Sequence, residues 1–221
     1  MSFFKKLFRI EKEDTRGLFP HIMGLRLEAS FEIDALHLKL LEPHLTINQC
    51  TPTQIIQAVG YVKLDGNHIF RFYTDDEGFL QVVSEGGTAE QHVIDVKMFH
   101  YFDTLNIENQ SDWDELLFKK MGNASYELNG HTYNRVWTST SDYHKPVAMQ
   151  EKTYDATSVD ANDFDQTDQF TMLYERELET GDFEALYLSA EEKINKHNQY
   201  ERCLVISTGM SLSPTQIKIH G

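Results

Sequence analysis

Apolar and polar residues alternate along most of this chain, with the period of a half-buried β-strand. In LRLEASFEID, Leu25, Leu27, Ala29, Phe31 and Ile33 share one face. LHLKLL (Leu36 to Leu41) fits either a strand or a helical turn, and Pro43 and Pro52 bracket a loop. From Gln54 onward, IIQAVGYVKL, HIFRFYT and FLQVVS are separated by Asp65-Gly66-Asn67 and by Asp75-Asp76-Glu77-Gly78, both hairpin-type turns. HVIDVKMFHYF follows. Later strands are SYELNGHTYNRVWT, folded at Asn129-Gly130, then VAMQEKTYD, FTMLYEREL, FEALYLS, ERCLVIST and TQIKIH.

One helix is well signalled. Ser111 can cap it, Asp112, Asp114 and Glu115 load its first turn, Lys119 and Lys120 its last, and Gly122 can end it. Trp113, Leu116, Leu117 and Met121 give it an inward face. The pattern predicts about ten to twelve strands and two or three helices, an α+β, predominantly antiparallel β arrangement.

Leu64-Asp65-Gly66 through Thr74 aligns without a gap with Leu128-Asn129-Gly130 through Thr138, with Arg71 falling on Arg135. The alignment suggests two related β halves, 18–105 and 106–221, within one β-rich domain spanning 18–221. The competing reading is convergence, since type I′ turns demand Asx-Gly wherever they occur.

Composition sets the opening of the chain apart. The protein carries a formal net charge of −15, yet residues 3–10, FFKKLFRI, hold three basic groups and no acid. On a helix, Phe3, Phe4, Leu7 and Phe8 share a face, with Lys5, Lys6 and Arg9 opposite. Residues 1–17 are therefore read as a basic amphipathic segment and hinge. The segment can dock on the acidic body, stay disordered, or make weak contact with an anionic membrane or a protein partner. The acidic remainder argues against nucleic acid. Cys50 and Cys203, the two cysteines, form no disulfide framework and fit a reducing cytoplasm. No run is long enough to span a bilayer.

No catalytic signature emerges. The ten histidines include no HExxH or His-x-His, and no Cys-x-x-Cys occurs. His92 and His100 share a strand face, which is weak evidence for a metal. DANDFDQTD lacks the glycine and terminal glutamate of a calcium loop. No catalytic residue, metal or cofactor is expected. Arg71, Arg135 and Arg176 lie within strands beside aromatics. They are candidates either to line a pocket for an acidic ligand or to form half-buried structural pairs with carboxylates.

Several short stretches occur in an order that resembles a known family. These are GLRL (Gly24 to Leu27), AVGYVKLDG (Ala58 to Gly66), RFYTDDEGFLQV (Arg71 to Val82), YNRVW (Tyr133 to Trp137) and MLYERE (Met172 to Glu177). Together they resemble the YjfK-like family of bacterial proteins of unknown function. The resemblance implies no activity or catalytic residue. It implies an association with membrane-stress genes, and so a cytoplasmic protein working near the inner membrane.

Two functional readings follow. The leading one is a non-enzymatic binding or adaptor protein, either peripheral to the inner membrane or part of a stress-related assembly. The other is an enzyme or small-ligand-binding protein whose pocket is lined by the strand arginines and aromatics.

Overall fold

The sequence pattern predicts strands one by one but not how their ends meet. In the computed structural model, which describes residues 18–47 and 50–220, they meet to close a barrel. Strand β1 (Ser30–Ile33) is followed by helix α1 (Ala35–Leu41), capped by the Asp34 side chain at Leu36 N and His37 N. Strands β2 (Thr53–Leu64), β3 (Asn67–Thr74), β4 (Gly78–Glu85) and β5 (Val93–Asn106) then form an antiparallel meander. Helix α2 (Gln110–Glu115) and the short strands β6 (Ser125–Leu128) and β7 (His131–Arg135) intervene. A second meander follows, of β8 (Val147–Asp155), β9 (Asp165–Glu177), β10 (Phe183–Ile194) and β11 (Tyr200–Ser211).

The meanders join first strand to first strand and last to last. Val59 of β2 pairs with Tyr154 of β8, and Thr208 of β11 pairs with His100 of β5. These two seams close an eight-stranded antiparallel barrel. Strand β12 (Ile217–His220) pairs with β1, which extends the sheet beyond β2. The expected predominance of antiparallel β is present; among the described residues it forms a barrel with two α-helices, more sheet-dominated than the α+β class expected. Closure depends on strands nearly half the chain apart, a relation that local periodicity does not carry.

Two apolar clusters cover the outside of the barrel. Phe70, Phe72, Leu80, Val82 and Met98 pack under Leu25, Phe31, Leu38 and Leu41. Met172, Tyr174, Leu186, Leu188 and Ile206 pack under Trp113, Leu116, Leu117 and Met121. The face expected of LRLEASFEID is present, with Leu25, Ala29, Phe31 and Ile33 buried. Only Ser30–Ile33 is strand, because Met23 (φ 58°) and Glu28 (φ 63°) turn the backbone left-handed.

The expected helix starts earlier than Ser111. Asn109 caps it, accepting from Asp112 N at 2.9 Å while its own amide reaches the Asp112 carboxylate at 2.8 Å. Both residue types suit the cap position, and the reciprocal bond with Asp112 favours Asn109. Its last turn widens to a π-helix over Leu116–Lys120. Gly122 answers a close approach, since a Cβ there would lie 1.9 Å from the His144 carbonyl oxygen.

Both Asx-Gly turns form as predicted, with positive φ at Asp65 (48°), Gly66 (85°), Asn129 (49°) and Gly130 (79°). The hairpins they close are not equivalent. β2 and β3 are barrel staves, whereas β6 and β7 lie outside the barrel against the end of β9. The aligned arginines meet unrelated surroundings, so the repeat inferred from that alignment is withdrawn. The topological counterpart of β2–β3 is β8–β9, whose strands are joined by the acidic loop 156–164 and not by an Asx-Gly turn.

Candidate functional site

Strand alternation turns Arg71 of β3 away from Phe70 and Phe72 and into the barrel. There its guanidinium contacts staves that are not neighbours of β3, which only the barrel interior allows. Nη1 donates to Glu151 Oε2 of β8 (3.1 Å) and Gln169 Oε1 of β9 (2.6 Å). Nη2 donates to the Tyr187 hydroxyl of β10 (2.5 Å), and Nε to Gln81 Oε1 of β4 (3.1 Å). The rings of Phe79 and Tyr187 flank it at 5.9 and 5.3 Å. Burial disfavours its charge, but Tyr187 and Glu151 more than offset this and the guanidinium stays charged. Arg71 and Glu151 are each 2% exposed. Gly60 of β2 leaves room for the carboxylate, since a Cβ there would fall 1.8 Å from Glu151 Oε1.

Above this floor the barrel opens into a cavity of about 300 Å³ lined by Tyr73, Tyr101, Thr153, Thr167, Glu151 and Glu191 among others. The Tyr73 hydroxyl donates to Glu151 at 2.9 Å. The Gln169 amide bridges the two carboxylates, reaching Glu151 at 2.8 Å and Glu191 at 3.2 Å. Ser189 supplies Glu191 with a second donor at 3.0 Å. Burial, then repulsion from Glu151, raises the Glu191 pKa above its ordinary value. Burial, then Glu151, also raises the Tyr73 hydroxyl well above its own. The described lining holds two carboxylates and no cationic side chain.

A larger surface groove of about 740 Å³ lies between residues 18–23 and the outer faces of β2 and β8. Tyr61, Phe70 and Tyr154 line it, together with Lys63 and Lys152. It lacks the convergent buried polar groups that mark the barrel mouth.

The three candidate arginines do not converge. Arg71 belongs to the floor of the cavity. Arg176 binds Glu184 on the outer wall at 2.6 and 2.7 Å, with its ion pair over the Tyr133 ring. Its partner Glu184, 0% exposed, also accepts from Thr46 N (2.6 Å) and the Tyr133 hydroxyl (2.7 Å). Among the described residues Arg135 meets no carboxylate. It donates to the carbonyls of Gly122 (2.6 Å), Trp137 (2.9 Å) and Asp142 (3.1 Å), pinning a loop. This corrects both expectations for Arg135, a pocket residue or an ion-paired one. The contact residues Phe3, Phe4, Lys5, Lys6, Leu7, Phe8 and Arg9 lie outside the described residues. His92 and His100 do not share a site, because the His92 ring hydrogen-bonds the Glu85 carbonyl (3.0 Å) while His100 faces Asp76.

The family of which the profile is described as "Protein of unknown function (DUF2491)" matches residues 3–218. The chain belongs to this family. It is 29% identical over 223 residues to "Uncharacterized protein YjfK" of Escherichia coli (strain K12), covering 100% of this chain and 99% of that protein. No solved structure matches it. Among the described residues, no helix is long and apolar enough to cross a membrane.

Proposed function

We propose that this protein is a small-ligand-binding barrel whose mouth takes an organic cation, such as a protonated amine. The observation that carries the reading is the pair Glu151 and Glu191, bridged by Gln169 above a floor whose single guanidinium is already engaged. With both acids ionised, the pair outweighs Arg71 by one negative charge. A cationic ligand would supply that missing charge and offset the burial penalty that raises the Glu191 pKa.

Tyr73 and Tyr101 add aromatic walls suited to an ammonium group. The cavity is at the lower end of small-molecule sites in size. Binding, with no turnover, is the favoured reading because the Glu151 carboxylate is already engaged by Arg71, Tyr73 and Gln169.

Calorimetric titration with small alkylamines and the alcohols of the same shape tests this. Amines should bind and the alcohols should not. Glu191→Gln should weaken amine binding at least tenfold, while the variant keeps the wild-type fold by circular dichroism. Equal binding of amines and alcohols, or an unaffected Glu191→Gln variant, would overturn the reading.

A further inference from the structure

On β5 the alternation that turns Phe99 and Tyr101 inward turns His100 outward, away from the cavity. There it meets Asp76 of the β3–β4 turn and Cys50 of the loop before β2. The Cys50 Sγ, a carboxylate oxygen of Asp76 and a ring nitrogen of His100 all lie within 4.8 Å of one another. His100 Nε2 is sealed from solvent and, among the described residues, has no hydrogen-bond partner. Asp76 Oδ2 stands 3.6 Å away, within ion-pair range but too long for a hydrogen bond. The residue itself is 9% exposed. A buried imidazole nitrogen thus stands beside a carboxylate and a thiol.

We propose that Cys50, Asp76 and His100 bind a divalent transition metal, with zinc the best fit. One thiolate, one carboxylate and one neutral imidazole balance two positive charges. Mixed sulfur, nitrogen and oxygen donors suit a borderline-soft ion. In a tetrahedral zinc site, donor atoms stand about 3.3–3.8 Å apart. The Asp76–His100 separation already matches this, and the thiol need move in by only about 1 Å.

Asp76 is held for the role. Its Oδ2 accepts from Thr51 N and Gln54 Nε2, both at 2.8 Å, so the carboxylate is oriented by the loop that carries Cys50. Three protein ligands leave the fourth position for water or another small donor. As the metal–sulfur bond forms, the Cys50 S–H bond breaks and its proton passes to solvent. Metal uptake would then tie residues 50, 76 and 100, from three separate segments, to one point. The site shares no residue with the barrel mouth, and its test is independent of the amine reading.

Cobalt(II) added to the metal-free full-length protein is the direct test. One equivalent should bind, giving a thiolate-to-cobalt charge-transfer band in the near ultraviolet and intense visible bands of tetrahedral geometry. Zinc should displace it. Cys50→Ser should abolish the charge-transfer band, whereas Cys203→Ser should retain it. Asp76→Asn and His100→Gln should each weaken cobalt binding at least tenfold. Stoichiometric zinc should raise the wild-type melting temperature, a readout that does not depend on whether a variant folds. No charge-transfer band in the wild type, a band that survives Cys50→Ser, or a melting temperature unmoved by zinc would each overturn the proposal.

Discussion

Along β3, Phe70 and Phe72 turn outward into an apolar cluster, while Arg71 between them turns inward onto Glu151, Gln169 and Tyr187. The same division runs along β10, where Leu186 and Leu188 face outward and Tyr187, Ser189 and Glu191 inward. In a strand with one wet face, the polar residue is the exposed one. Here the outer wall is apolar because α1, α2 and their flanking segments cover it. The inner wall mixes a small aromatic cluster of Phe79, Phe99, Ala185 and Tyr187 with buried polar groups, which hydrogen bonds across the axis satisfy. Arg71, the most polar residue of β3, is buried as deeply as the phenylalanines beside it. Side-chain polarity therefore fails to report burial in this fold, and what separates the two walls is the kind of interaction lost on substitution.

The largest expected effect is on the inner wall. Arg71→Ala strands a buried carboxylate and should cost about 3–5 kcal/mol in urea unfolding, since breaking a buried pair leaves an uncompensated charge. A loss under about 1 kcal/mol, typical of a surface site, would mean that the interior is hydrated enough to shelter Glu151 alone. On the outer wall, Leu80→Ala should cost about 3 kcal/mol through the cavity it leaves. The contrast sharpens in the double variants. Arg71→Met with Glu151→Met should recover much of the first loss, whereas no second substitution of matching size repairs Leu80→Ala.

Gly60→Ala probes the inner wall from the other side. Its methyl would collide with Glu151, and a loss of about 2 kcal/mol is expected from the forced shift. Arg135→Ala belongs to neither wall. With three carbonyl partners and no acid to strand, it should cost about 1 kcal/mol, well below the cost at Arg71.

The smallest effect is a pH dependence. The Glu191 pKa is raised in the fold, so between the ordinary value of 4.5 and its raised value the native state holds a proton that the unfolded chain has released. Stability should therefore fall as pH rises through that window. Asp76 contributes with the opposite sign. Burial opposes its charge, but hydrogen bonds from Thr51 and Gln54 prevail and lower its pKa, so its contribution is lost as pH falls below the ordinary carboxylate range. The two windows do not overlap. Glu191→Gln should flatten the upper slope and leave the lower one, as unfolding at a series of pH values would show.

Much of the strand inventory was legible because alternation and Asx-Gly turns are local. VGYVKLDGNHIF names two strands and their turn, and the turn forms with both expected positive φ angles. Barrel closure was not legible, since the pairs Val59–Tyr154 and Thr208–His100 join residues about a hundred apart in the chain. The arginines were singled out by their strand and aromatic neighbours, but sequence could not say which wall each would face. Arg71 and Arg135 look alike beside their aromatics, and only the placement of their strands separates a buried ion pair from a loop clasp.

Glu151, Gln169 and Glu191 were missed outright. In a chain with 35 acidic residues, no local signal distinguishes the two carboxylates that line the cavity from the rest. Cys50, Asp76 and His100 were equally invisible to a search for short ligand spacings, because each comes from a different segment.

The joining of first strand to first and last to last has a consequence for how the polypeptide is made. Each meander consists of neighbours in sequence and can assemble from local contacts, but each then presents two edges, β2 (paired with β1 only over Thr53–Ile55) and β5 in one case, β8 and β11 in the other. A nascent chain that has emerged only through Asn106 displays both edges of the first meander with no second meander to pair them. Such edges invite strand addition from other chains. The window of danger lasts until β11 has been synthesised, when both seams can close together. A ribosome stalled between the meanders should yield an aggregation-prone product, while the second meander supplied as a separate polypeptide during synthesis should rescue it.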